Sequence, residues 1–219
     1  MKAKYDIILF DLDGTLTDSG PGVTDCVRRT LEHMGRPALP PDTLRRFIGP
    51  PLFSSFTKLC GMTPEDADRA ALYFRGLYQD SGVFNNSVYD GIPGALEALR
   101  EAGALLAVAT SKPKSMARAV LDHYDLTRRF DFVSAADESD RGNGKETLIL
   151  PVLERAGCAP GRAVMVGDTK FDAAGARRAG TKFLGVLFGF GTEEEMRREG
   201  AEHFARTPAD IARLLVDKP

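Results

Sequence analysis

The chain has no tryptophan and only 3 cysteines among its 219 residues. Cys26, Cys60 and Cys158 are odd in number and far apart, so they cannot all pair within the chain. Small secreted domains that depend on disulfides carry many cysteines, whereas a chain of this length buries enough surface to fold without cross-links. The cysteines therefore predict reduced thiols that act as small packing residues, in a cytoplasmic protein.

The sequence also lacks a long apolar segment and an excess of charge of either sign. No positively charged start with an apolar run precedes the first predicted strand, so we expect neither a signal peptide nor a membrane span. The formal charge is −2 and the pI is about 6.0, which argues against a nucleic-acid partner. The pairs of adjacent arginines are spread over separate predicted helices, and we expect most of them to be solvated.

Apolar runs that alternate with helical patterns predict an α/β fold. Strands are predicted at residues 7–10, 105–109, 132–133, 163–166 and 182–187, with helices between the later ones. Strands that alternate with helices form a parallel sheet covered on both faces. We therefore predict a Rossmann-like, doubly wound parallel sheet.

Residues 17–82 follow a different pattern, in which only helical periodicities occur. Thr63-Pro64-Glu65-Asp66, for example, offers a cap residue, a proline and two acids at a helix start. Residues 81–94 are rich in glycine, asparagine and proline, which is typical of a hinge. We predict a core of residues 1–16 and 83–219 with an inserted, all-helical cap of residues 17–82, able to open and close.

Two acidic residues, Asp11 and Asp13, follow the first predicted strand. Side chains alternate along an extended chain, so these two carboxylates can project to the same side. A hard divalent cation such as Mg²⁺ compensates the repulsion between close carboxylates. The alternative is that Asp13-Gly14 only forms a tight turn. A loop and a helical pattern follow Gly14, which makes a hairpin less favoured.

Further polar residues follow the other predicted strands, at the sheet edge where ligands bind in open parallel sheets. Taken singly, each has an ordinary interpretation as a turn, a backbone hydrogen bond or a solvated charge. Together they supply the groups of a metal-assisted phosphoryl transfer. These residues are Thr110, Ser111, Lys145, Asp168, Thr169 and Asp172.

Four segments carry a resemblance to a known family. They are Asp11-Leu12-Asp13-Gly14-Thr15, Thr110-Ser111, Lys145 and Gly167-Asp168-Thr169-Lys170-Phe171-Asp172, in this order. This set resembles the four motifs of the haloacid dehalogenase superfamily. It looks like the branch of phosphoglycolate phosphatases, whose helical cap is inserted after the first motif, and the resemblance covers essentially the whole chain. Ile48-Gly49-Pro50-Pro51-Leu52 also resembles a cap-loop pattern of that branch.

The resemblance implies that Asp11 is the nucleophile, which forms an aspartyl phosphate, and that Asp13 is the general acid and base. It implies that Thr110 and the Ser111 backbone hold the phosphoryl oxygens, and that Lys145 neutralises charge on the nucleophile and the phosphoryl group.

The same resemblance implies a Mg²⁺ ion held by Asp11, the Asp13 carbonyl and Asp168. Asp172 would orient Lys145 or a metal-bound water. The polar approach to Lys145, residues 137–144, departs from the commonest pattern, so the choice of Lys145 depends on its place before a helix.

The implied activity is hydrolysis of a small phosphomonoester, with phosphoglycolate ranked first and 5'-nucleotides or pyrophosphate as alternatives. A phosphosugar mutase and a non-catalytic phosphate-binding protein stay open, although the presence of all the motif residues favours an enzyme. The expected partner is a small-molecule phosphate ester, and monomer or homodimer is not decided. Ser111 and Gly14 are predicted to bind substrate. Predicted cap residues facing the leaving group are Arg45, Arg46, Ile48, Gly49, Phe53 and Lys58.

Overall fold

The computed structural model describes residues 2–137 and 143–217. Its strands are β1 (Ile7–Phe10), β2 (Thr17–Asp18), β3 (Ser87–Val88), β4 (Leu105–Pro113), β5 (Phe132–Ala136), β6 (Ala163–Gly167), β7 (Lys182–Val186) and β8 (His203–Ala205). Its α-helices are α1 (Gly20–His33), α2 (Pro41–Arg45), α3 (Leu52–Cys60), α4 (Pro64–Asp80), α5 (Ile92–Glu101), α6 (Lys114–His123), α7 (Glu146–Ala156), α8 (Lys170–Ala179), α9 (Glu193–Arg198) and α10 (Pro208–Leu215).

Six of the strands form one parallel sheet in the order β5-β4-β1-β6-β7-β8. All four residues of β1 are buried, as expected of a central strand with helices on both faces. Ile8 and Phe10 belong to the core on one face, and Ile7 and Leu9 to the core on the other. The predicted doubly wound α/β fold is therefore confirmed.

The strand order reverses beside β1, because the chain proceeds from β1 to β4 and β5 on one side and then returns to β6 on the other. A crevice forms at the carboxyl end of an open parallel sheet where the order reverses. The ends of β1, β4 and β6 meet there, which places the segments after these strands side by side.

The insertion consists mainly of helices α1 to α4. Its interior is built from aromatic side chains, with the rings of Phe47 and Phe56 in an edge contact at 5.1 Å between centroids. The hydroxyl of Thr63 accepts a hydrogen bond from the backbone of Asp66, so α4 begins at the capping signal in the sequence. The exact limits of cap and core, at residues 16 and 82, stay a prediction.

The structure differs from the sequence-based predictions at three points. Thr110 and Ser111, predicted to follow the strand of residues 105–109, lie within β4, which continues to Pro113. Thr17–Asp18 is a strand within the segment where only helices were predicted, and it pairs antiparallel with Ser87–Val88. His203–Ala205 is a sixth sheet strand that was not predicted. Both were missed because strands of two or three residues are too short for an alternating pattern to appear. In the part of the chain that is described, no helix has the length and apolar character needed to cross a bilayer.

Candidate active site

Four segments bring their polar residues together at the carboxyl edge of the sheet. Asp11 continues β1, and its backbone N–H donates to Val166 O on β6 at 2.9 Å. Thr110 lies within β4, Lys145 caps the N-terminus of α7, and Asp168 follows β6 directly. Asp11, Thr110 and Lys145 line one cavity beneath the insertion. The separate segments of the predicted motifs are therefore neighbours in space.

Three buried carboxylates form a tight cluster in this crevice. One oxygen from each of Asp11, Asp168 and Asp172 lies within 4.8 Å of the other two. The ammonium of Lys145 lies 2.7 Å from Asp11 Oδ1 and 2.8 Å from Asp172 Oδ1. With every group ionised, three negative charges face one positive charge, so the cluster keeps an excess of negative charge.

The pKa values of these groups reflect burial first and charge second. Burial raises the pKa of Asp11 to about 6, against the opposing effect of the Lys145 charge. Burial raises the pKa of Asp168 well above its usual range, and the charges of Asp172 and Asp11 add to this. Burial alone would lower the pKa of Lys145, but its two carboxylate neighbours outweigh that effect and raise it. Burial thus favours the neutral forms of Asp11 and Asp168, and an added positive charge would favour their ionised forms.

The donor set fits a divalent cation. Asp11 Oδ1 and Asp172 Oδ1 are buried, and the ammonium of Lys145 contacts both of them, so one positive charge is shared between two carboxylates. Hard carboxylate oxygens with excess negative charge are the ligands that Mg²⁺ prefers. The sequence analysis placed Asp172 outside the metal site, whereas the structure includes its carboxylate in the cluster. The Asp13 carbonyl as a metal ligand stays a prediction.

Asp168 is held by the turn after β1 and by a loop after β7. Its Oδ2 accepts from the Phe190 N–H at 2.8 Å, and its Oδ1 accepts from the Thr15 hydroxyl at 3.4 Å. Gly14 has φ +88°, and a Cβ at this position would collide with Asp168 Oδ2. Gly14 does not belong to the described cavity lining. It packs against Asp168, and its role in substrate binding stays a prediction.

Asp172 is fixed by a reciprocal cap at the start of α8. Its Oδ2 accepts from the Thr169 N–H at 3.0 Å and from the Thr169 hydroxyl at 2.7 Å. The other oxygen, Oδ1, is left to face Lys145. Gly175 gives room for this approach, since a Cβ there would collide with Lys145 Cβ. These contacts support the predicted orientation of Lys145 by Asp172.

The carboxylate of Asp13 lies apart from the cluster and pairs with a lysine that the sequence analysis did not single out. Lys112 Nζ is 2.9 Å from Asp13 Oδ1 and 3.0 Å from Asp13 Oδ2. The same ammonium donates to the Tyr78 hydroxyl at 2.7 Å. Lys112 lies two residues after Thr110, and its backbone N–H donates to the Thr110 hydroxyl at 3.1 Å. A lysine so close to a predicted site residue was the available signal.

The cavity has a volume of about 760 Å³ and is roofed by the insertion. Its cap side is formed by residues 47–53 and by one face of α4. Ser111, Ile48, Gly49 and Phe53 line it, as predicted from the sequence. The contributors from α4 are Asp68, Ala71, Phe74, Arg75 and Tyr78.

Three cap residues lie elsewhere. Arg45, Arg46 and Lys58 are exposed and do not belong to the described cavity lining, so their contact with the leaving group stays a prediction. No residue of α4 was predicted to face the leaving group. The polar segment before Lys145 comprises residues 137–144. Residues 138–142 lie outside the described residues, whereas Asn143 and Gly144 line the cavity.

Comparisons with known proteins agree with this geometry. A family model described as haloacid dehalogenase-like hydrolase matches residues 8–186. A 5'-nucleotidase of Pseudomonas aeruginosa is 38% identical, over 96% of this chain and 94% of its own length. A phosphoglycolate phosphatase of Aquifex aeolicus is 30% identical, over 95% and 96%. The crystal structure of a predicted phosphatase from Clostridium acetobutylicum superposes with a TM-score of 0.90 at 34% identity, covering 96% of this chain and 97% of the other.

Proposed function

Because the chain belongs to the haloacid dehalogenase-like hydrolase family, we propose that it is a Mg²⁺-dependent phosphatase acting on a small phosphomonoester. One observation carries the proposal: Asp11, Asp168 and Asp172 form one buried cluster, and the Lys145 ammonium contacts two of them beside a capped cavity. This arrangement offers a nucleophilic carboxylate, a cation site and a charge that binds phosphoryl oxygens. The three scattered thiols support a cytoplasmic location.

The proposed reaction has two steps. An oxygen of Asp11 attacks phosphorus, the bond from phosphorus to the leaving oxygen breaks, and Asp13 donates a proton to that oxygen. Asp13 then takes a proton from a water molecule, whose oxygen attacks the phosphorus of the aspartyl phosphate. The bond to Asp11 breaks and inorganic phosphate leaves. Lys145 and Thr110 hold the phosphoryl oxygens throughout.

The cation would be held by Asp11, Asp168 and the carbonyl of Asp13. When bound, Mg²⁺ screens the carboxylates and polarises the phosphoryl group. Burial raises the pKa of Asp11 to about 6, and the carboxyl must be ionised to attack phosphorus. A neighbouring cation favours the ionised form of a carboxylate.

For the substrate, phosphoglycolate and nucleoside 5'-monophosphates are the two candidates. Relatives of both kinds match nearly the whole chain. The cavity favours the nucleotide, since about 760 Å³ lies in the range of pockets that enclose drug-sized ligands, well above the needs of phosphoglycolate. The rings of Phe47, Phe53 and Phe74 line the same space and offer apolar surface to a base.

Turnover of p-nitrophenyl phosphate with and without Mg²⁺ tests the proposed activity. We expect turnover only with Mg²⁺, and its loss in Asp11→Asn. Asp6→Asn is the matched control, because Asp6 is an exposed aspartate paired with Arg162 at the other end of β1. Phosphate binding without turnover in the wild type would instead support a non-catalytic binding protein.

The substrate needs a separate measurement. Comparison of kcat/KM for phosphoglycolate, nucleoside 5'-monophosphates, pyrophosphate and phosphosugars is expected to rank the nucleotides first. A mutase would be recognised by transfer of the phosphoryl group to a second sugar hydroxyl in place of its release.

A further inference from the structure

A buried ion pair connects the cap to the carboxylate of Asp13. The ammonium of Lys112 contacts both oxygens of Asp13, from the loop after β1, and the hydroxyl of Tyr78, from cap helix α4. The Lys112 side chain is 4% exposed, so water contributes little to its solvation. An ammonium has three N–H donors, and these three contacts use all of them. The contact is complete only while α4 lies over the sheet edge.

We propose that Lys112 and Tyr78 are positioning residues that make the orientation of the Asp13 carboxylate depend on the position of the cap. This inference rests on the proposed function, in which Asp13 transfers the protons. Tyr78 acts through Lys112, and Lys112 acts through Asp13. Cap closure by a bound substrate would thus orient the acid, whereas an open cap would release it.

The position of the Tyr78 ring is itself set by the cap. Its ring stacks on Phe74 at 5.5 Å between centroids, within the same helix. Gly82, where the chain returns to the core, lies under the ring, since a Cβ there would be 2.7 Å from Tyr78 Cδ2. The Lys112 ammonium also lies 4.6 Å from the ring centroid. A movement of α4 or of the return segment must therefore move the hydroxyl that Lys112 contacts.

The tyrosine stays neutral in this arrangement. Burial raises the pKa of Tyr78 to about 12, so the hydroxyl keeps its proton at neutral pH and accepts a hydrogen bond from the ammonium. Tyr78 therefore adds no formal charge beside Lys112. The attraction that holds the Lys112 ammonium comes mainly from the Asp13 carboxylate. The hydrogen bond to the Tyr78 hydroxyl sets the orientation of the ammonium.

A purely structural ion pair is the alternative explanation. Buried ion pairs are weak contributors to stability, because desolvation offsets much of their attraction. A structural role would lower the folded fraction and affect every substrate alike. A positioning role would act on the proton transfer, and hence on esters whose leaving oxygen needs a proton. The leaving group separates the two explanations.

Pre-steady-state release of the leaving group is the measurement that tests the proposal. The full chain with Mg²⁺ is compared on p-nitrophenyl phosphate, whose phenolate leaves without a proton, and on an alkyl ester, uridine 5'-monophosphate or phosphoglycolate. The variants are Tyr78→Phe, Lys112→Met and the double variant. Tyr73→Phe is the matched control, since Tyr73 lies on the same helix, stacks on His33 and is not part of the described cavity lining.

We expect Tyr78→Phe to slow release from the alkyl ester by roughly 10-fold, the lower bound for one hydrogen bond to a charged group, with less than about a twofold change for p-nitrophenyl phosphate. Lys112→Met should slow the alkyl ester by about 100-fold, the lower bound for general acid catalysis. The double variant should match Lys112→Met within about twofold, because Tyr78 acts through Lys112. KM for p-nitrophenyl phosphate should change little.

Equal losses on both substrates, or additive losses in the double variant, would overturn the proposal. Tyr78→Phe keeps the ring and its packing, so it supplies the answer even if Lys112→Met does not fold. An inactive wild type and an inactive Tyr73→Phe would contradict the proposed function. If the wild type and Tyr73→Phe are active but the Tyr78 and Lys112 variants slow both substrates equally, only this inference is contradicted.

Discussion

The replacement of Gly14 by alanine separates backbone strain from metal-site geometry. Gly14 and Gly103 have nearly the same backbone conformation, with φ +88° and +87°, but different surroundings. A Cβ at Gly14 would collide with Asp168 Oδ2, whereas a Cβ at Gly103 would meet nothing within 4 Å. Both variants have the strain of a left-handed alanine, about 1–2 kcal/mol, so Gly103→Ala is the control for that term.

The second cost belongs to Gly14→Ala alone. To relieve the collision, Asp168 must turn away and lose its hydrogen bond from the Phe190 N–H, which is 2.8 Å long. A hydrogen bond to a charged group contributes about 1.5–3 kcal/mol. For a chain of this length the added loss corresponds to a fall in Tm of about 4–9 °C below Gly103→Ala.

Stabilisation by Mg²⁺ gives a second measurement for the same variants. At a Mg²⁺ concentration of 100 times the Kd, binding stabilises a folded protein by about 2.7 kcal/mol. Urea unfolding with and without Mg²⁺ should show this gain in the wild type and in Gly103→Ala, but not in Gly14→Ala. The reasoning is refuted if Gly14→Ala keeps the full Mg²⁺ gain and unfolds with the same free energy as Gly103→Ala.

Three further outcomes are expected. Without metal, the unfolding free energy should fall by up to about 3 kcal/mol as the pH rises from about 4 through about 6, because the folded state binds the Asp11 proton more tightly. Mg²⁺ or Asp11→Asn should reduce this slope in urea unfolding, and the raised pKa of Asp168 should leave part of it in Asp11→Asn. Gly76→Ala, with nothing within 4 Å on α4, should raise the unfolding free energy by about 0.5–1 kcal/mol, whereas Gly22→Ala, whose Cβ would collide with Gly82 O, should lower it. Arg75 lines the cavity without an ion-pair partner among the described residues, so Arg75→Met should raise KM for phosphoglycolate about tenfold, the scale of one partly buried charge pair, and leave KM for p-nitrophenyl phosphate within about twofold.

Local patterns were sufficient for five of the six strands of the sheet and for the acids after its central strand. The run from Ile7 to Phe10 is apolar on both faces, and only a central strand of a covered parallel sheet has that requirement. Asp11 and Asp168 each follow such a strand directly, so the sheet rule alone brings them to one edge. The helices of the insertion follow from their period and from caps such as Thr63.

The cap side of the cavity was decided by the tertiary structure. Arg45 was chosen from its charge and its place near the cap loop, yet it is exposed, and Phe74 and Arg75 face the cavity in its place. A helical period separates an inward face from an outward one. The helical period does not show whether the inward face packs against other side chains or covers a cavity. That difference depends on the position of the whole helix in the fold.

The sequence by itself determined where strands alternate with helices, since strand and helix periods are properties of neighbouring residues. It did not determine that Lys112 contacts Asp13, 99 residues away, and Tyr78, 34 residues away. Nor did it determine that Gly14 gives room to the carboxylate of Asp168. Such contacts depend on how separate elements are seated against each other, and only the packing of cap on sheet sets those distances.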